Sequence, residues 1–166
     1  LFPYTTLFRS RSGSVVSAVF RGVQPAEIKA GAGDFAGAQS IYREALQRFP
    51  QAKSLIYGYV NSLYAGKRYD EALRFLDSQL QLYSSDYKLY GLQAKTYAAQ
   101  GKRLAQLKAQ AEFYLLQGQL TQAVEQLQFA QKETDGNFFE QSAVDARLRE
   151  LRVLQAEEAK LKRNGG

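Results

Sequence analysis

The sequence predicts an all-α fold, a right-handed α-α superhelix of stacked helix hairpins closed by a long C-terminal capping helix. Three observations predict it. The first is a recurrence at the period of a helix-turn-helix unit: Phe35 and Tyr69 are 34 residues apart, as are Ala38 and Ala72, and each Ala is followed three positions later by an apolar residue, Ile41 or Phe75. The second is punctuation by glycine: Gly33, Gly66, Gly101 and Gly118 are separated by 33, 35 and 17 residues, and the last interval is half of 34. The third is apolar spacing of 3 and 4, as in Leu120, Val124, Leu127 and Ala130, which lines one face of a helix.

Residues 1–14 fall outside this pattern. The run Leu1-Phe2-Pro3-Tyr4-Thr5-Thr6-Leu7-Phe8-Arg9-Ser10 looks like a translated sequencing adapter, and Arg-Ser-Arg-Ser-Gly-Ser at 9–14 reads as a flexible linker. This segment is expected to be disordered and non-native. A helical array of three to four repeats is expected over 15–133, its first repeat incomplete because Pro25 shortens or breaks the opening helix. Within it the spacing predicts helices at 34–48, 52–65, 69–83, 86–100, 103–117 and 119–133. Pro50 closes the first, and Ser84-Ser85-Asp86 supplies an N-cap for the fourth. Asp135-Gly136-Asn137 then interrupts the array. A capping helix over 138–163 follows, with a stripe through Val144, Leu148, Leu151 and Leu154 that gives way to charge after Glu157. Helices 86–100 and 103–117 both read as the first helix of a pair, so either a second helix is missing or one helix serves both roles.

Composition narrows the chemistry. The 166 residues contain no His and no Cys, which excludes Ser-His-Asp and Cys-His nucleophile pairs, imidazole or thiolate zinc sites, and disulfides. No catalytic residue, metal site or cofactor is expected in this chain. Acidic neighbours such as Asp70 with Glu71, or Glu157 with Glu158, lie at a helix start and in a charged tail, where capping and solvation account for them. No run approaches the roughly 18 apolar residues of a membrane-spanning helix. Half of the net charge of +6 resides in residues 1–30, where Arg9, Arg11, Arg21 and Lys29 face only Glu27; the remaining cations are interspersed, so nucleic acid is not an expected partner. Because Met is absent, the chain is expected to be a piece of something longer.

Particular residues carry a family resemblance. Gly33-Asp34-Phe35, Ala38, Tyr42, Ala45 and Pro50 resemble the second helix of a tetratricopeptide repeat. Ala94, Tyr97 and Gly101 resemble the close of a first helix, and Ala111, Tyr114, Gly118, Ala123, Leu127 and Ala130 most of a whole repeat. The resemblance covers about residues 26–133. Small residues at Ala38, Ala72 and Ala123 would let helices approach, while Tyr42, Tyr97 and Tyr114 fill the space between pairs. A narrower likeness runs through Ser54-Leu55-Ile56-Tyr57-Gly58-Tyr59-Val60, Tyr69-Asp70-Glu71-Ala72-Leu73 and Ala111-Glu112-Phe113-Tyr114. These look like the C-terminal repeat domain of the β-barrel assembly-enhancing protease family, periplasmic zinc metalloproteases of Gram-negative bacteria. That resemblance implies a periplasmic location, a non-catalytic repeat domain, zinc held only in a protease domain absent from this chain, and protein partners among the outer-membrane barrel assembly machinery or its substrates. It leaves open whether the repeats dock the enzyme, gate its cleft, or belong to a general envelope scaffold.

In such a stack the first helix of each pair lines the concave face. By repeat position Tyr57, Asn61, Tyr64, Lys88, Lys95, Lys108 and Glu112 are the candidate partner-binding residues. Tyrosine and asparagine suit an extended peptide, because each buries surface while keeping a hydrogen bond. Asn61 with a lysine one turn away would form a carboxylate clamp, but Tyr57 occupies the lysine position.

Overall fold

The computed structural model describes residues 17, 19, 21 and 23–164. The expectation of disorder over 1–14 lies outside them. A helical run, seen at residues 17, 19 and 21 and continuous over 23–31, opens the described chain. It continues through Pro25, so the expected break there is not found. Seven further helices follow: α1 (Phe35–Arg48), α2 (Lys53–Ala65), α3 (Tyr69–Leu82), α4 (Tyr87–Ala99), α5 (Arg103–Leu116), α6 (Leu120–Ala130) and α7 (Phe138–Asn164). No strand occurs among the described residues. The observed bounds of α1–α6 lie within one residue of those read from periodicity, except that α6 ends at Ala130 rather than 133.

Four helices, α1, α4, α5 and α7, start where a side chain can satisfy the free backbone N–H groups of a first turn. Asp34 accepts from the Gly37 amide at 2.9 Å and pairs with the Lys29 ammonium at 2.7 Å. Asp86, buried, accepts from the Lys88 amide at 3.1 Å. At the start of α5 the preceding Lys102 has no oxygen to offer. Asp135, from the turn after α6, reaches across instead and accepts from the Leu104 amide at 3.0 Å. Gly136 allows that approach, since a Cβ there would meet Leu104 Cδ1 at 2.5 Å. Asn137 and Glu140 then open α7 with a reciprocal capping box: Asn137 Oδ1 accepts from the Glu140 amide and Glu140 Oε2 from the Asn137 amide.

Four turns share one closing geometry, in which a residue with positive φ is followed by an amide that donates to the carbonyl five positions back. These bonds run from Asp34 to Lys29, Arg68 to Leu63, Lys102 to Tyr97 and Gln119 to Tyr114. The positive-φ residues are Gly33, Lys67, Gly101 and Gly118. The structural period is therefore a strict 34 between positions 33, 67 and 101, and the uneven glycine intervals in the sequence arise because Lys67 occupies the glycine position. Gly66 has negative φ and a different reason to be glycine: a Cβ would lie 3.0 Å from Gln39 Nε2 and 3.3 Å from Phe35 Cβ.

The chain divides into two compact units, one ending at Arg68 and the other beginning at Tyr69. In the first, α1 packs on α2. Ala38, Tyr42, Leu55, Ile56, Val60 and Leu63 are buried, and the Tyr42 ring lies so close over Gly58 that a Cβ there would sit 2.5 Å from it. One polar side chain joins that core. Gln39, 2% exposed, donates to the Ser62 carbonyl at 3.1 Å and accepts from Arg68 Nη1 at 2.8 Å.

In the second unit α3 packs on α4, α4 on α5, α5 on α6 and α6 on α7. Its largest cluster joins Leu104, Leu107 and Ala111 of α5, Leu120, Ala123, Val124, Leu127 and Ala130 of α6, and Val144, Leu148 and Leu151 of α7. Helix α5 packs about equally on α4 and α6. It is therefore shared between the two adjoining helices, as an internal helix of a stack is.

Candidate functional site

Within the second unit α3, α4, α5 and the start of α7 line a half-open cavity of about 220 Å³. Helical spacing explains its lining. Tyr90, Gln93 and Tyr97 recur at 3 and 4 along α4, and Lys108 and Glu112 are one turn apart on α5. Asp77 of α3 and Glu140 of α7 complete a polar rim. Gln93 Nε2 donates to Asp77 Oδ1 at 2.8 Å, fixing both groups.

Glu112 is committed to its own scaffold. Its two oxygens accept from Arg147 Nε at 2.7 Å and Nη2 at 2.8 Å, a bidentate pair that ties α7 to α5, and Arg147 Nη1 also donates to Glu150 at 2.8 Å. Chiefly through the Glu112 bond, the guanidinium is held protonated beyond its ordinary range. Lys108, exposed, remains as the cavity's cation beside Asp77 and Glu140.

The two tyrosines can serve as hydrogen-bond donors. Burial, and then the charges of Asp77 and Glu140, raise the Tyr97 hydroxyl above its ordinary value. Burial and Glu112 raise that of Tyr90, against a smaller opposing effect of Arg147. Both phenols thus stay protonated at neutral pH and present O–H groups from apolar ring bodies. Hydroxyl donors, carboxylate acceptors and one ammonium in a half-open cavity can hold a polypeptide's side chains or backbone. They pair no activated nucleophile with a base. Among the described residues no three carboxylates gather closely enough to hold a metal ion.

Of the seven residues chosen from the sequence, the cavity brings together Lys108 and Glu112. Lys88 and Lys95 lie exposed on α4, outside its lining. Tyr57, Asn61 and Tyr64 share a face of α2 in the first unit, where the tyrosines are half-buried and Asn61 is exposed. Sequence reasoning missed Tyr90, Gln93, Asp77 and Glu140, and assigned Tyr97 to packing alone. A signal existed. Shifted by the 34-residue period, Tyr90 and Tyr97 correspond to Ile56 and Leu63, which are fully buried. A tyrosine where the preceding repeat has an aliphatic core residue must place its hydroxyl somewhere polar.

Comparison with known families now adds to this geometry. No curated protein matches the chain. A tetratricopeptide repeat family model matches residues 29–96, from the residues before α1 into the last turn of α4, and stops short of the 133 to which the resemblance was read. Such repeats generally mediate protein–protein interaction and are typically non-catalytic. The matched sequence and the all-helical hairpins together support a tetratricopeptide repeat domain.

Proposed function

We propose that this chain is a non-catalytic interaction module that binds a partner polypeptide through the tyrosine-lined cavity of α3, α4, α5 and α7, and through the face of α2 that carries Tyr57, Asn61 and Tyr64. The observation that carries the reading is the placement of Tyr90, Tyr97 and Lys108 on one cavity, with two protonated phenols at positions the repeat elsewhere gives to aliphatic core. Lys88 and Lys95 are the outer contacts of that surface. The resemblance of residues 54–60, 69–73 and 111–114 supports a narrower role: the repeat domain of a periplasmic metalloprotease that serves outer-membrane β-barrel assembly and quality control. Its partners would be the assembly machinery or its barrel substrates, and zinc would belong to the parent's protease domain.

Binding of purified assembly components and of an unfolded β-barrel protein to this chain tests the reading. Tyr97→Phe and Lys108→Glu should each weaken one of these complexes at least tenfold while the circular dichroism spectrum is unchanged. Replacing Tyr57, Asn61 and Tyr64 together with Ala should do the same. Wild-type affinity in Tyr97→Phe and Lys108→Glu alike would reject the cavity. Absence of binding to every barrel component, with other polypeptides still bound, would reject the barrel-assembly role and leave the module.

A further inference from the structure

The outward side of α7 carries charge that neither the core nor the cavity uses. At 100° per residue, positions 149, 152, 156, 160 and 163 fall within an arc of about 80°. They hold Arg149, Arg152, Ala156, Lys160 and Arg163, and all five are exposed. The row spans 14 residue steps, or about 21 Å. Buried Val144, Leu148 and Leu151, and Arg147 bound to Glu112, occupy the opposite side of the helix.

Among the described residues none of the four cations forms an ion pair or hydrogen bond. The local sequence leaves most of the row unneutralised, since only Lys160 has an uncommitted acid, Glu157, three positions away. Asp145, one turn before Arg149, bonds to Gln131 at 2.6 Å, and Arg152 and Arg163 have no acid at three or four positions on either side. Like charges at Arg149 with Arg152 and at Lys160 with Arg163 repel at a spacing of three, an unfavourable arrangement on an isolated helix. The acids of this stretch, Glu150, Glu157 and Glu158, sit off the row, and Glu157 and Glu158 share their side of the helix with Leu154 and Leu161.

We propose that this row is a second docking surface, distinct from the cavity, for an acidic helical segment of a partner protein whose Asp or Glu side chains recur at spacings of three and four. Charge complementarity selects the anion, and the one-turn spacing of the cations matches carboxylates on another helix. Ala156 at the centre leaves room for the partner backbone. A lipid surface fits less well, because exposed Val153 is the large apolar residue beside the row, while Leu154 and Leu161 face away from it and line a groove with Leu115 and Leu120, so the cations do not flank an apolar face. Duplex nucleic acid fits less well, since one straight row of four cations is a small footprint for it.

The test is fluorescence anisotropy with a labelled 21-residue helical peptide bearing Glu at spacings of three and four on one face and Ala elsewhere. The intact chain should bind it and lose affinity as salt rises. R149E/R152E/K160E/R163E should lose at least tenfold. R149Q/R152Q/K160Q/R163Q, which adds no repulsion, should lose at least fivefold. R43E/R48E/K102E/K132E, with the same total charge as the first variant but altered elsewhere, should stay within twofold of wild type. Tyr97→Phe should leave this binding intact, which separates it from the cavity. No binding by the wild-type chain, equal loss in the two charge-matched variants, or binding to phosphatidylglycerol vesicles or a 20-base-pair duplex without binding to the peptide would overturn the proposal.

Discussion

Replacing Gln39 probes the α1–α2 hairpin with a magnitude that can be worked from its contacts. Gln39→Ala removes four heavy atoms from a site 2% exposed, together with the bonds to Ser62 and Arg68. The polar loss is limited. The Ser62 carbonyl keeps the Gly66 amide at 3.0 Å, and exposed Arg68 can turn to water, so the two bonds together contribute about 1 kcal/mol. The void is the larger effect, because Gly66, which lies against the Gln39 amide, has no side chain to collapse into it; large-to-small changes in such sites cost about 2–3 kcal/mol or more. The expectation is a loss of about 3 kcal/mol for Gln39→Ala and about 1 kcal/mol for Gln39→Met, which keeps the volume. Native-state hydrogen exchange at α1 and α2 amides measures the opening free energy of this hairpin without assuming that the whole chain unfolds at once. Equal destabilisation by Ala and Met would show that the hydrogen bonds dominate and would refute the argument. A change below about 0.5 kcal/mol for Ala would show that the site repacks freely.

Lys67→Gly should stabilise the first unit by about 0.5–1 kcal/mol, since φ of 58° strains a side-chain-bearing residue; chemical denaturation followed at the α1–α2 hairpin reads it, and a loss would mean the Lys67 side chain contributes more than the backbone strain removes. The Asp34 carboxyl is held below its ordinary value, first by Lys29 and then by the Gly37 amide, so its contribution is complete above the unfolded-state value and is lost as pH falls through the folded one. A carbon-13 titration should place its midpoint below that of a free aspartate, and Lys29→Ala, which removes the largest cause, should move it up toward that value. Ala123, 0% exposed beneath α7, has no room for a larger group; Ala123→Leu should cost about 1–3 kcal/mol through overpacking, and an unchanged melting temperature would contradict the packing described.

Much of the fold was legible because helix periodicity and turn chemistry reinforce one another. Gly33, Gly101 and Gly118 mark turns whose φ requires them, and Ala38, Ala72 and Ala123 are fully buried where helices meet. The uneven interval at Gly66 was misleading for a physical reason: two causes, left-handed backbone and close helix approach, select the same residue, and at this turn they act on adjacent positions. The cap on α5 could not be read locally, since its oxygen comes from Asp135, 31 residues later. The same limit applies to the cavity. Glu112 was read as a groove residue by position, but nothing near it in sequence announces Arg147, and the roles of Asp77 and Glu140 depend on helices that meet only in three dimensions. Tyr57, Asn61 and Tyr64 followed from one helix's own spacing, whereas a site assembled from four helices does not.

The sharing of α5 between two neighbours bears on cooperativity. In an ordinary repeat array each hairpin can fray while the next stays folded, so stability is a sum over separable links. Here a single rod is a wall of both adjoining pairs and is also clipped by Asp135 at its head and by Arg147 near its tail. Melting α5 would strip α4, α6 and α7 of support together. The stretch from residue 87 to the end of α7 should therefore exchange its amides as one block, and in a truncation after α4 the α3–α4 pair should not hold its shape.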